Sequence, residues 1–555
     1  MAARSYTYCL AIIILLKSMA FAMGGQGSTC NPSTPGWNNC TLAKVPFQNE
    51  VRGIVDIPGG YYSTPYQASQ SNTEYKLQGD IIAAGTAITV TGSKVIINLN
   101  GHTITYNDTS PGEGINTGKW NLHHISVKNG SIIQGKAMSE GNTHGFGINP
   151  VSTYNTKLSK NISAKYFHVA NLFVRIGGKD IGGIVVSSDN ALIEENTVED
   201  TYQFGTLKNR HQGINAITAS TGAASHGVVI RNNTIVNCRH RGITTGSNAS
   251  VYGNHVTTRT IATNGYGIFG YAAKNVKVYG NTVMSRGEHP IGIGFVSNGT
   301  DDIEIYDNYL DSMTTALGSE YGSPKRPNPN TTIDGNYAVG FRTTWGGKNI
   351  NFHHNEIHVS TDSDYAGWYS PTGEKVRLNA RGRGLMVGVG KDEEARFSHN
   401  SIVVLDKDGT GTAYGISCVG NESDRLYFFG NRVTANVANV GLGDSYAFCR
   451  GFPLFEGNTF IRADNFPSYR TISNHESGYF DAQARFVDNT FPEGDPFQTM
   501  RLNPSGRGVV DVYFGYKNNG KYEYTFRLHD KNNTSDTIVN EKFDKPLHIN
   551  YWTPN

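Results

Sequence analysis

The chain has 555 residues, a formal net charge of +2, 17% charged residues and 65 glycines. So even a balance gives no overall field for nucleic acid or an anionic membrane surface, which excludes a role built on either. The length exceeds what one globular core fills but suits a solenoid that grows by layers, and Gly, Asn, Thr, Ile and Val suit short strands joined by tight turns.

The first residues, MAARSYTYCLAIIILLKSMAFA, combine Arg4, an apolar run from Cys9 to Leu16, and small residues at Ala20 and Ala22. This is the pattern of a secretory signal peptide over 1–22. The run is too short to cross a bilayer core of about 30 Å as a helix. No later segment is long and apolar enough either, so no membrane partner is expected. Secretion implies an oxidising compartment, where Cys30 and Cys40, flanking a Pro/Gly/Asn-rich loop, are expected to pair. Residues 23–79 read as a lead-in and N-terminal cap over the first apolar layer of an open solenoid.

From about residue 80 to 491 one motif recurs, as in RNNTIV (231–236), YGNHV (252–256), YGNTV (279–283), YDNYL (306–310), HHNEI (353–357) and FGNRV (429–433). Its asparagine column is Asn196, Asn233, Asn254, Asn281, Asn308, Asn355, Asn400, Asn431, Asn458 and Asn489. An alternating stretch such as VKVY or IEIY precedes each and reads as a strand with one buried face. Stacked asparagines at a bend can bond neighbouring coils and their own backbone, so the column is assigned a structural role.

A second motif alternates with the first: Gly213-Ile214, Gly242-Ile243, Gly267-Ile268, Gly292-Ile293, Ala338-Val339, Gly384-Leu385, Gly415-Ile416 and Ala447-Phe448. From this motif to the next asparagine the later coils take 16, 17, 16 and 16 residues, whereas the return path varies from 9 to 30. Insertions therefore collect on one side, which is where a repeat protein builds its binding face. In this register Cys418 and Cys449 fall near each other, and Cys238 reads as a small buried hydrophobe.

These strands, together with INLNGHTITY (97–106), resemble the repeats of the pectate-lyase-like superfamily of right-handed parallel β-helices. The resemblance implies an all-β solenoid of about 10–12 coils, whose substrate trough would run along the Gly-Ile sheet. It does not fix a reaction, because the superfamily includes lyases, epimerases, hydrolases and proteins with no enzymatic role. Neither the aspartate-centred pattern of polygalacturonase-like hydrolases nor the DPHD-type signature of mannuronan epimerases is found.

Along the Gly-Ile side the sequence places Arg241, Tyr266, Tyr337, Arg383 and Tyr414 just before the motif, with Tyr446 in the last coil. Arg210, Arg239, His289 and Arg381 stand two residues earlier, His211 and His240 lie between these positions, and Arg342 and Arg450 lie just beyond. Arginine grips carboxylate with two parallel bonds and tyrosine stacks on sugar faces, so the expected partner is an acidic polysaccharide. Proton abstraction beside a uronate carboxylate needs a base, a cation for the developing enolate, and an acid. His289 or His240 is assigned as base, Arg241 or Arg383 as carboxylate clamp, and Tyr266 as proton donor. Arg210, His211, Arg239, Tyr337, Arg342, Arg381, Tyr414 and Arg450 are assigned to substrate binding.

The bland reading keeps Tyr414 and Tyr446 as packing between coils and RHRG (239–242) as a solvated turn. A hydrolase would need two carboxylates about 5–10 Å apart, with Asp189, Asp200, Glu288 and Asp444 as candidates. A non-catalytic binding or structural β-helix is the third reading. No cofactor is assigned: the Gly-Ile side offers no oxygen cluster for calcium, and no CxxC or Cys/His cluster points to zinc. Residues 492–555, with DVYFGY and YEYTFRL, read as a C-terminal β cap or small β-module. Nothing in the sequence fixes an oligomeric state.

Overall fold

The computed structural model describes residues 51–118, 122–137, 147–149, 164–176, 182–186, 188–200, 215–219, 227–260, 265–287, 290–296, 299–314, 337–343, 347–361, 381–406, 412–442, 449–464, 469–474, 482–492, 510–530 and 539–542. The expected signal peptide and the Cys30–Cys40 pair lie outside the described residues. All described residues belong to one compact unit, Val45–Asn555.

Each coil is built from three strands, as in Lys274–Tyr279, Thr282–Gly287 and Pro290–Val296, after which Asp301–Tyr306 begins the next. Successive coils pair in parallel, with Val276 opposite Ile303 and Val283 opposite Leu310. Among the described residues the first and second strands merge across the asparagine bend into one sheet of 31 strands, and the third strands form a sheet of 14. The chain is a parallel β-helix.

The asparagine column joins the coils. Asn281 donates from Nδ2 to Val251 O at 2.9 Å, Tyr279 O at 3.0 Å and Asn308 Oδ1 at 2.9 Å. Its own Oδ1 accepts from the Asn254 backbone N–H at 3.0 Å and Asn254 Nδ2 at 2.9 Å. The same pattern runs from Asn196 to Asn489. The residue before each column member takes a left-handed conformation, as at Gly253, Gly280, Asp307, His354 and His399, which turns the chain without a longer loop.

Inside, one column reads Val251, Val278, Ile305, Phe352, Phe397, Phe428, Phe455, Phe486 and Phe514. Each of these side chains is buried, worth roughly 1.5–3 kcal/mol relative to exposure. The phenylalanines stack from Phe397 to Phe428 at 5.3 Å, Phe455 at 4.6 Å and Phe486 at 4.7 Å between neighbouring ring centroids.

The ladder starts earlier than the 80 boundary drawn from sequence: Gly53–Ile57 already pairs in parallel with Thr73–Leu77. At the other end Val510–Asn518 continues the parallel ladder on Ala482–Val487 and then pairs antiparallel with Lys521–Asp530. That reversal ends the solenoid within its own sheet, with Phe514 stacked on Phe486 at 5.2 Å. Cys418 and Cys449 form a disulfide with their Cα atoms 5.5 Å apart. Cys238 is fully buried and its thiol donates to Arg241 O at 3.0 Å.

Two coils depart from the expected Gly-Ile register. Ile293 pairs with Phe341, so Gly340-Phe341 holds the place read as Ala338-Val339. A Cβ on Gly340 would meet Gly384 O at 2.7 Å and crowd Ile357, which is why glycine and not Ala338 sits there. Ile416 pairs with Val440, so Asn439-Val440 replaces Ala447-Phe448. Asn439 is tolerated because its Nδ2 donates to Val433 O at 2.9 Å and Ile461 O at 3.0 Å.

Candidate active site

The Gly-Ile dipeptide governs what the third sheet presents outward. A Cβ on Gly267 would crowd the core residue Val283, and Ile268 also packs in the main core. Two consecutive residues therefore turn inward, and Tyr266 and Phe269 flank them in a separate cluster with Ile291 and Val339. One outward column runs Arg241, Tyr266, Ile291, Val339, Arg383, Tyr414 and Ala438. The other runs Thr244, Phe269, Gly294, Arg342, Met386, Ser417 and Gly441. Neither column carries a carboxylate over this span.

Four of the expected residues meet at one end. Tyr266 is 2% exposed, its ring covers Gly294 of the next coil, and it lies 4.7 Å from the Phe269 ring. The Arg241 guanidinium sits over the other partner, 3.8 Å from the Phe269 centroid. Arg342 and Arg241 both act electrostatically on the Tyr266 phenol. Burial still holds the phenol above its ordinary range, against the pull of Arg342 and Arg241. His240, half-buried beside them, is pushed down to about 3 by burial and by Arg241. Around neutral pH the group therefore presents a neutral imidazole, a protonated phenol and two guanidiniums.

The segment that carries His240 and Arg241 is fixed from three sides. Tyr266 N–H donates to His240 O at 2.8 Å, and the Cys238 thiol holds the Arg241 carbonyl. Arg239 donates from Nε to Asp200 Oδ2 at 2.7 Å and from its backbone N–H to the same oxygen at 3.2 Å. The Arg239 and Asp200 side chains are 7% and 1% exposed. Arg239, expected to grip substrate, is thus engaged in a buried ion pair, and RHRG is no solvated turn.

Arg383 and Tyr414 form a second group. The Arg383 guanidinium lies 4.3 Å from the Tyr414 centroid and donates to Gly382 O at 2.8 Å. Arg383 is 0% exposed and Tyr414 packs over Gly441, so these two are covered where an open clamp was expected. Arg383 stands four coils from Arg241, about 19 Å at ~4.8 Å per strand. Ile291 and Val339 fill the stripe between them, which makes it apolar in the middle.

Arg381 is half-buried, in register with Tyr337 and Thr412. Tyr337 falls two residues ahead of the column, displaced by the register at Gly340. Arg450 is exposed beside the Cys449 bridge to Asn421 and leaves the stripe, because Ala438–Leu442 supplies the third strand of that coil. Arg210, His211, His289, Glu288 and Tyr446 lie outside the described residues. Phe269 is the residue that sequence alternation missed, since the double inward step at Gly267-Ile268 puts it outside. Among the described residues no group of three or more His, Cys, Asp or Glu is placed to hold a metal ion, and no helix is long and apolar enough to cross a membrane.

The family described as "Right handed beta helix region" matches residues 182–357, which gives the hand of the solenoid. No curated protein matches the chain in sequence. Among solved structures, the catalytic unit of a thermostable GH87 alpha-1,3-glucanase from Streptomyces thermodiastaticus is similar at 12% identity and a TM-score of 0.32, covering 88% of this chain and 70% of its own. A Yersinia enterocolitica family 28 exopolygalacturonase aligns at 12% identity and TM-score 0.24, over 82% and 74% of the two chains. The A-module of the Azotobacter vinelandii mannuronan C-5 epimerase AlgE6 aligns at 12% identity and TM-score 0.20, over 89% and 98%. The expected right-handed parallel β-helix thus holds as fold, carried by the ladder register and the family match over 182–357.

Proposed function

We propose that this β-helix is a secreted polysaccharide-active enzyme, a lyase or C5-epimerase acting on a uronate-containing polymer such as alginate or pectin. The observation that carries the reading is the Tyr266 phenol, acted on by both Arg342 and Arg241, with His240 next to Arg241 in the chain and bonded through its carbonyl to the Tyr266 N–H. Burial leaves His240 neutral, so that it can accept a proton, and Tyr266 protonated, so that it can donate one. His240 removes the proton next to the uronate carboxylate, and Arg241 with Arg342 stabilises the enolate-like charge. In a lyase Tyr266 protonates the leaving glycosidic oxygen as its bond to carbon breaks and the ring double bond forms. In an epimerase it returns a proton from the opposite face. Tyr266 is nearly fully buried, so the reading requires that the phenol become exposed to the polymer.

Among the described residues no carboxylate pair for a hydrolase is assembled, since Asp200 is tied to Arg239 and Asp189 lies in the other sheet opposite Lys165; Glu288 and Asp444 lie outside the described residues. A non-catalytic binding or structural β-helix is a second reading, and the burial of Arg383 and Tyr414 favours its structural form. The test is incubation with alginate, pectate, ulvan and glycosaminoglycan, following unsaturated product and reducing ends, with NMR of the recovered polymer for epimerisation. Unsaturation or epimerisation supports the proposal. Reducing ends without unsaturation indicate a hydrolase, and silence in all three readouts leaves the binding protein.

A further inference from the structure

Away from the Gly-Ile sheet, at the asparagine bend, two consecutive imidazoles converge. His353 Nδ1 and His354 Nδ1 stand 2.9 Å apart, with the rings nearly perpendicular at 89°. We propose that His353 and His354 form a two-imidazole chelate for a divalent cation of tetragonal preference, Cu(II) first and Ni(II) second.

The spacing decides the geometry. With metal–imidazole bonds of about 2.0–2.1 Å, a right-angled N–metal–N pair sets the nitrogens about 2.9 Å apart, whereas a tetrahedral pair needs about 3.4 Å. The hydrogen-bonded rings already stand at a separation that a right-angled pair could keep, and the affinity of imidazole ligands along the divalent series peaks at Cu(II), which puts Cu(II) first. Backbone conformation sets the spacing: His354 has φ 54°, in the left-handed region. The same arrangement recurs at His123 and His124, 2.9 Å apart with φ 56° at His124.

Glu304 distinguishes the His353 pair. Its Oε1 lies 3.8 Å from His353 Nε2, on the far side of the ring from Nδ1. At that separation the contact is electrostatic and favours the tautomer with its proton on Nε2, which leaves the Nδ1 lone pair for a metal. The rings are also held in place, His353 stacked on Tyr306 at 5.2 Å and His354 on His399 at 5.2 Å. Without metal, one Nδ1–H donates to the other Nδ1. On binding, that proton moves to Nε2 of the same ring and solvent or an external donor completes the coordination.

The test titrates untagged full-length protein with Cu(II) and reads the electron paramagnetic resonance spectrum. Wild type is expected to show an axial signal with splitting from two imidazole nitrogens. His353→Gln and His354→Asn are each expected to lose one equivalent of bound copper, Asn being chosen because it tolerates the left-handed conformation. Glu304→Gln is expected to weaken binding about tenfold or more while leaving the stoichiometry unchanged. His358→Ala is the control, since that imidazole pairs with Glu356 at 2.8 Å and takes no part. Copper binding unchanged in both His353→Gln and His354→Asn overturns the proposal. So does an equal loss in His358→Ala, or displacement of the copper by equimolar Zn(II).

Discussion

Replacing Asn281 by alanine tests how far the asparagine column holds the solenoid together. The side chain supplies three donor contacts, to Val251 O, Tyr279 O and Asn308 Oδ1, and its Oδ1 accepts from Asn254 N–H and Asn254 Nδ2. Asn254 Nδ2 keeps its bonds to Ile230 O and Tyr252 O, and Asn308 Oδ1 still accepts from Asn281 N–H. The Asn254 N–H and the carbonyls of Val251 and Tyr279 then lose a partner in a position that is 1–2% exposed at the asparagines. Tyr279 O keeps the Gly253 N–H at 3.3 Å, so at about 1–3 kcal/mol for each of the other two groups the substitution costs about 2–6 kcal/mol. Because each coil contacts mainly its neighbours, the loss stays local. Urea denaturation and amide hydrogen exchange should show the coils around Asn254 and Asn308 opening first, with the Asn254 amide exchanging fastest among them. A cost below about 1 kcal/mol, with the Asn254 amide as protected as in wild type, would refute the reasoning.

Asp200→Asn leaves the buried Arg239 guanidinium without its carboxylate, and removing one partner of such a pair costs about 3–5 kcal/mol. The denaturation midpoint should fall accordingly, and an unchanged midpoint would contradict the ion pair. Replacing Cys418 and Cys449 together by serine opens a link across a sequence separation of 31 and should destabilise by about 3–4 kcal/mol under oxidising conditions, with no difference from reduced wild type. His240 has a folded pKa of about 3, below the unfolded value near 6.5, so the unfolded chain binds the extra proton between them. Its contribution is present above 6.5 and is lost as pH falls toward 3, so His240→Gln should flatten that part of the stability curve. The same shift predicts that kcat/KM for a uronate polymer shows no acidic limb near 6.5, and the raised Tyr266 phenol moves the basic limb above 10. A limb at 6.5 in the wild-type profile would overturn the assignment of a buried, neutral imidazole.

Much of the fold was legible because one physical requirement repeats. A buried bend needs its polar groups satisfied in every coil, so asparagine returns at Asn233, Asn254 and Asn281 whatever the loop lengths between. The Cys418–Cys449 contact followed from that register. The third sheet was harder to align. A small-apolar dipeptide at Ala338-Val339 mimics the motif, while the true position at Gly340 is set by the carbonyl of the next coil pressing where a Cβ would stand. The same double inward step hid Phe269, which a strict two-residue alternation assigns to the core. The Arg239–Asp200 pair joins residues 39 apart through burial, and no local pattern announces it. Arg383 read as a clamp from its residue type alone, and only the packing reveals that it is covered.

The most direct measurement compares wild type with Tyr266→Phe on the uronate polymer that wild type transforms. Initial rates of unsaturated-product formation, or of epimerisation by NMR, are followed as polymer concentration varies. The account predicts that Tyr266→Phe lowers kcat by about 100-fold or more, the usual contribution of a positioned proton donor, while KM stays within a few-fold. Full activity in correctly folded Tyr266→Phe, or a folded wild type that transforms none of these polymers, would contradict it.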